Sequence, residues 1–320
     1  MLKKNILQLA AAPTPMAGLA LGIASLGWCW ENAAQLHGLG QIIGAVIASA
    51  MLFILLLKFV CFPKILWNDL AHPVVGSVAP TFAMATMVVS NALTHFNADL
   101  GNALWLFAVV LHLLFLVVFI YHRAMDFQLH HMVPSWFVPP VGLIVADVSF
   151  AGSEALRPLA DGVLLFGLVA YAVMLPAMLY RLIFSHEVPD SAKPTIAILA
   201  APASLSLAGY LTVTSSPSPV IVALLFGIAV SMTLLIYFSL IKLAQLPFSP
   251  GYAAFTFPVV ISATALFKFA AWMASVGVAD EYVGQVTMMA TVELVIATVV
   301  VTYVAIRYLA FYRPAIRLFT

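Results

Sequence analysis

Ten apolar runs follow one another along the chain, at about 13–31, 39–62, 73–94, 100–121, 134–153, 159–184, 194–215, 219–243, 250–276 and 282–309. A helix needs about 20 apolar residues to cross the hydrocarbon core of a bilayer, and each run is close to that length or longer. Backbone exposed to lipid must satisfy its own hydrogen bonds, so only helices or a closed barrel can span. The runs are continuous rather than alternating, which excludes a barrel. The chain therefore reads as an all-α polytopic membrane protein, one transmembrane domain over residues 1–320 with ten helices and short loops. Charged residues are 8% of the chain and hydrophobic residues 64%, too little polar surface to cover a water-soluble body. Lys and Arg number 13 against 12 for Asp and Glu, so there is no basic footprint for nucleic acid.

The cations are not scattered. Lys3, Lys4, Lys58, Lys64, Arg123, Arg181, Lys193, Lys242, Arg307, Arg313 and Arg317 fall on one side of a ten-span arrangement, with Arg157 and Lys268 as exceptions. The excess of Lys and Arg on cytoplasmic loops then puts both termini in the cytoplasm of a cell (inner) membrane. An odd number of spans would spread the same charges over both faces. The stretch before Pro13 is too short for the apolar core of a signal peptide, and hydrophobicity continues to Trp30, so the first run reads as an uncleaved span. Cys29 and Cys61 lie near opposite ends of the first helical hairpin, too far apart to bridge.

A repeat of about sixty residues underlies the pattern. The odd runs begin near Pro13, Pro73, Pro134, Pro194 and Pro250, at intervals of 60, 61, 60 and 56 residues, and Lys64, Arg123, Arg181, Lys242 and Arg307 close the even runs. Five helical hairpins follow. Their halves differ: Gly76 and Pro80, Pro139, Pro140 and Gly142, Pro202 and Gly209, and Pro258 interrupt odd runs, whereas the even runs are rich in Leu, Val and Phe, with Pro176 the sole internal proline. A proline removes a backbone donor and kinks its helix, and lipid cannot satisfy the carbonyl so freed. The odd helices are therefore expected to face inward and enclose a central path in a pseudo-five-fold ring. Gly18, Gly22, Pro80, Pro140, Pro202, Thr256 and Pro258 are the pore-lining candidates. The first run has no proline at the corresponding depth, and Gly18-x-x-x-Gly22 reads alternatively as a close helix contact.

Pro15-Met-Ala-Gly-Leu-Ala-Leu-Gly22, Pro134-Ser-Trp-Phe-Val-Pro139, Lys193-Pro-Thr-Ile-Ala-Ile-Leu-Ala-Ala-Pro202 and Ala254-Phe-Thr-Phe-Pro258 resemble, in order and spacing, the tellurite-resistance/dicarboxylate transporter family. That family includes bacterial tellurite-resistance membrane proteins, yeast malate and sulfite transporters and the plant guard-cell slow anion channels. The resemblance covers essentially the whole chain. It implies ten helices in five hairpins and a homotrimer with one pore per subunit. It also implies a pore plugged by the last residue of an aromatic-Ser/Thr-Phe tripeptide, here Phe255-Thr256-Phe257, so the gate carries over to Phe257. The family's proline in the first helix is absent, with Ala20 near its place, and so are the regulatory tails of the plant channels.

Deep in the expected lining no basic residue occurs. Lys268, about eleven residues beyond Phe257, sits roughly 16 Å along the helix axis, where it either draws anions into an outer vestibule or snorkels to the interface. A near-neutral passage with weak sites suits rapid conduction. Because a kink frees carbonyls, which attract cations, anion preference follows from the resemblance and not from the prolines. Asp147, on an odd run, is either a proton-coupling carboxylate on the path or a protonated or hydrogen-bonded group between helices. Glu293, on an even run, is a candidate for pairing across a helix or subunit contact. His130 and His131 have no Cys or carboxylate at ligand spacing, so no metal or other cofactor is expected. The absence of HExxH, Gly-x-Ser-x-Gly and phosphate-loop patterns disfavours an enzyme. The expected activity is passage of small anions (chloride, nitrate, with tellurite-like oxyanions as further candidates) past the phenylalanine. The alternative is a proton-coupled dicarboxylate or oxyanion carrier using Asp147.

Overall fold

The computed structural model describes residues 9–312. Lys3, Lys4, Arg313 and Arg317, four of the cations used for the orientation, lie outside the described residues. The α-helices are α1 (Met16–Trp30), α2 (Leu39–Cys61), α3 (Pro63–Ala71), α4 (Val75–Val78), α5 (Thr81–Thr94), α6 (Ala98–Met125), α7 (Val138–Val141), α8 (Val145–Val148), α9 (Arg157–Phe184), α10 (Ala201–Val213), α11 (Pro219–Leu243), α12 (Thr256–Ser275) and α13 (Asp280–Tyr312). Eight helical stretches among the described residues are long and apolar enough to cross a membrane, and two apolar ones, Met16–Trp30 and Pro134–Val148, are shorter.

The even runs form single long helices, α2, α6, α9, α11 and α13, of which 28–39% is buried in the protein. Their unbroken Leu, Val and Phe content needs no partner but lipid, and Pro176 sits inside α9 without ending it. The long stretches on the odd runs are 72–83% buried. These are also the broken ones. Residues 75–94 part into α4 and α5 at Pro80. Lys193–Ala200 and Pro250–Phe255 wind as 3-10 helix before α10 and α12 take over. Prolines at the start of each segment have no N–H for the α-helical ladder, and the tighter winding adapts to that loss. The inner segments touch in sequence: α1 contacts α5, α5 contacts α8, α8 contacts α10, α10 contacts α12, and α12 returns to α1.

Two expected boundaries are corrected. The first run is helical for 15 residues, about 22 Å at 1.5 Å per residue, because Pro13 and Pro15 hold the chain before it out of the ladder. The fifth run stops at Val148 rather than 153, after alternating 3-10 and α turns around Pro139, Pro140 and Gly142. The short helix α3, with Pro63 in its first turn, was not expected between the second and third runs.

In the first three hairpins a cation in the last turn of the long helix binds backbone. Lys58 Nζ donates to Ala12 O at 2.9 Å, Arg123 Nη2 to Ala71 O, and Arg181 Nη2 to His130 O at 3.0 Å. Each reaches back about fifty residues, to the carbonyl just before the odd run of its own hairpin. Arg307 lies 5.3 Å from the Phe248 ring centroid, just before Pro250. A cation at the end of an α-helix, held by a carbonyl, is favoured by the helix dipole and by hydrogen bonding. Three of the five hairpins therefore share a contact as well as a sequence pattern.

Candidate functional site

A cavity of about 610 Å³ lies among the beginnings of the odd runs. Its walls include Gly18 of α1, Thr81 of α5, Gly142, Pro202 of α10, and Phe257 and Pro258 of α12. A second cavity of about 60 Å³ lies further along, walled by Ser25, Asn32, Val145, Thr264 and Lys268. Phe257 lines both, and it is 8% exposed. The helices place it there through the break before α12: Pro250–Phe255 is 3-10, and Thr256 begins the α-helix. Phe255 faces elsewhere, fully buried, with its ring centroid 4.7 Å from that of Tyr252.

The expected site residues divide. Gly18, Pro202, Phe257 and Pro258 line the large cavity, and Lys268 lines the small one. Gly22, Pro80, Pro140, Thr256 and Asp147 line neither. Gly22 is a packing residue: a Cβ there would meet Thr256 Cβ at 2.6 Å and Oγ1 at 2.5 Å. Glycine thus lets α1 approach α12 one residue from Phe257, the close-contact reading of the Gly18/Gly22 pair. Pro80 caps α5 at the break, and Pro140 is half-buried beside the buried Pro139. Thr256 Oγ1 is turned back onto backbone, 2.7 Å from Ala253 O and 3.1 Å from Gly18 O.

Asp147 stands apart from both cavities. It is fully buried on α8, and a Cβ on Gly209 of α10 would lie 3.3 Å from its own Cβ. Neither of its carboxyl oxygens has a hydrogen-bond partner among the described residues. Glu293 on α13 likewise has a buried Oε2 without a hydrogen bond. Among the described residues no three His, Cys, Asp or Glu side chains gather to hold a metal ion.

The residues that sequence reasoning missed sit at the outer part of the large cavity. Lys58, 3% exposed, forms an ion pair with Asp69 of α3 at 3.3 Å and reaches Thr14 Oγ1 at 3.0 Å. Thr14 Oγ1 also donates to Asp69. With Ala12 O this uses all three ammonium donors, so Lys58 fastens α2, α3 and the chain before α1 rather than offering a free charge. His72 lines the same cavity and caps α4 through Nδ1, which accepts from Val74 N and Val75 N at 3.1 and 3.2 Å. Burial, then the nearby Arg123, hold its imidazole below its ordinary pKa, with Asp69 opposing and His131 adding to the depression. Lys58 had been read only as an orientation signal. An aspartate eleven residues beyond a lysine inside an apolar run was the available clue.

The arrangement is a larger cavity and a smaller one with Phe257 in the wall of both and the Lys268 amine on the smaller. Comparison with known proteins agrees with a transport role. Two uncharacterized transporters of Methanocaldococcus jannaschii are similar to this chain. One is 28% identical over 65% of this chain and 68% of its own length, the other 25% identical over 63% and 65%. A tellurite resistance protein TehA homolog of Haemophilus influenzae is 24% identical over 70% of both chains. The SLAC1 family, described as voltage-dependent anion channel, matches residues 14–309. A match over nearly the full length means that this chain belongs to the SLAC1 family of membrane transporters and anion channels.

Proposed function

We propose that the chain is a passive channel or uniporter for small anions, closed in this conformation by the Phe257 ring. The observation that carries this reading is the position of Phe257 as the wall common to the two cavities. Removing one apolar ring from that partition joins them. Chloride and nitrate are the substrates the near-neutral walls favour, with tellurite-like oxyanions as further candidates. An ion with a low dehydration cost passes weak sites quickly, whereas a strong site would trap it. Lys268, half-buried on the small cavity, raises local anion concentration at that end.

The closed sequence of contacts through α1, α5, α8, α10 and α12 supports a pseudo-five-fold ring of ten spans, with the two short apolar segments counted as spans. The recurring cation clips support the same single domain of five hairpins. With Lys58, Arg123, Arg181 and Arg307 at one end, positive-inside placement favours cytoplasmic termini in a cell membrane. A homotrimer with one pore per subunit is the assembly proposed. The proton-coupled carrier using Asp147 is the weaker reading, because Asp147 is fully buried and lines neither cavity.

The test is flux in proteoliposomes holding the Phe257→Ala variant. Chloride movement driven by a chloride gradient alone, with no pH gradient, supports a passive path. A strict requirement for a pH gradient, abolished by Asp147→Asn, would overturn it in favour of the carrier.

A further inference from the structure

The broken inner helices pose an electrostatic problem for the proposed activity. A break in a helix leaves carbonyls without their α-helical donors, and carbonyls coordinate cations. At three breaks a threonine hydroxyl covers such a carbonyl. Thr81 Oγ1 donates to Val78 O at 2.7 Å, Thr195 Oγ1 to Ala192 O at 2.6 Å, and Thr256 Oγ1 to Ala253 O at 2.7 Å with Gly18 O at 3.1 Å. All four acceptor residues line the large cavity. The pattern is the same each time, a hydroxyl three residues beyond the carbonyl, on the third, seventh and ninth runs.

Val78 makes the point most sharply. In a continuous helix Val78 O would accept from Phe82 N, but Phe82 N bonds Ala79 O at 3.1 Å instead, so the Thr81 hydroxyl stands in for that diverted backbone donor. At Ala192 and Ala253 the first lone pair already accepts Thr195 N at 2.9 Å and the Thr256 backbone N–H; the hydroxyl takes the second. Threonine back-bonding is common in membrane helices, and α13 has it at Thr287 and Thr291 on an exposed face. What separates the three inner threonines is that each bonds the carbonyl of a residue that lines the cavity.

The geometry points to Thr81, Thr195 and Thr256 as a charge-selectivity collar, three hydroxyls that occupy wall carbonyls and so remove the cation preference a kinked, proline-broken passage would otherwise have. The inference rests on the channel reading proposed above. It assigns the discrimination between anions and cations to residues other than Lys268 and Phe257.

The test is the reversal potential in asymmetric NaCl, with Phe257→Ala as the conducting background. Thr81→Val, Thr195→Val and Thr256→Val keep the β-branched shape and delete the donor. Combined, they are expected to raise sodium permeability relative to chloride about fivefold, the ratio given by one net hydrogen bond's worth of acceptor strength returned to the ion. The Thr→Ser counterparts restore the background value. Should the triple variant fail to assemble, Thr81→Val alone, at the carbonyl whose backbone donor is diverted, is expected to give a smaller shift of the same sign. A chloride-selective background with an unchanged reversal potential in folded Val variants overturns the collar. A background that carries no anion-selective current overturns the channel reading itself, and the collar with it.

Discussion

Gly22→Ala tests how closely the partition depends on one missing methyl group. The added Cβ would stand 2.6 Å from Thr256 Cβ and 3.3 Å from Phe257 N. Ordinary contacts of this kind begin at 3.4 Å, so α1 and α12 must part by about 0.8 Å at the level of Phe257, well beyond small packing adjustments. A Cβ is fixed to its backbone, and no rotamer change relieves the overlap. Overpacking of this sort costs about 1–3 kcal/mol, against a helix-propensity gain of at most about 1 kcal/mol for replacing glycine with alanine. The clash wins, and the variant is expected to melt several degrees lower in detergent than the parent. Gly227→Ala, with nothing within 4 Å of its new Cβ, isolates the propensity effect and is expected to melt no lower than the parent. Because the displaced residue neighbours Phe257, basal chloride flux in Gly22→Ala should rise above the parent's. Unchanged melting and unchanged flux in a folded Gly22→Ala protein would refute the close α1–α12 contact.

Three further outcomes follow from the geometry. Lys58→Met strands Asp69 beside the cavity and should destabilise by about 2 kcal/mol, less than a fully buried pair would because Asp69 keeps 24% of its side chain exposed; a double variant with Asp69→Asn should recover much of the loss in a thermal melt. Arg181→Met removes the bonds to His186 O and His130 O from a side chain 1% exposed, and should lower yield and melting temperature without changing ion selectivity. His72 is held neutral as a backbone acceptor, so its folded pKa lies below the ordinary 6.5. Its contribution is complete above that value and declines as pH falls through and below it. Melting followed against pH should show a step there that His72→Asn, a non-titrating cap, abolishes.

The inner and outer helices were legible in the sequence because proline and glycine mark which runs cannot tolerate lipid. Pro80, Pro202 and Pro258 all fall where a run changes its winding. Phe257 was singled out only through the family resemblance, since one phenylalanine among 22 has no signature of its own; its place in the wall of both cavities is what the structure adds. Gly22 and Thr256 were read as lining and turned out to be each other's packing partners, a distinction that depends on how α1 is rotated against α12. The Lys58–Asp69 pair was hidden because a lysine near the end of an apolar run satisfies the orientation rule whether or not it is bonded. Asp147 does lie on one of the buried segments, but a broken helix does not keep one face toward a cavity, and Asp147 lines neither.

The most direct measurement is planar-bilayer current from the parent protein and Phe257→Ala side by side, in a chloride gradient at equal pH on both sides. A quiet parent and a conducting variant whose current reverses near the chloride equilibrium potential is the predicted result. Two silent proteins, both folded and assembled, would contradict the claim that the Phe257 ring is what closes the path.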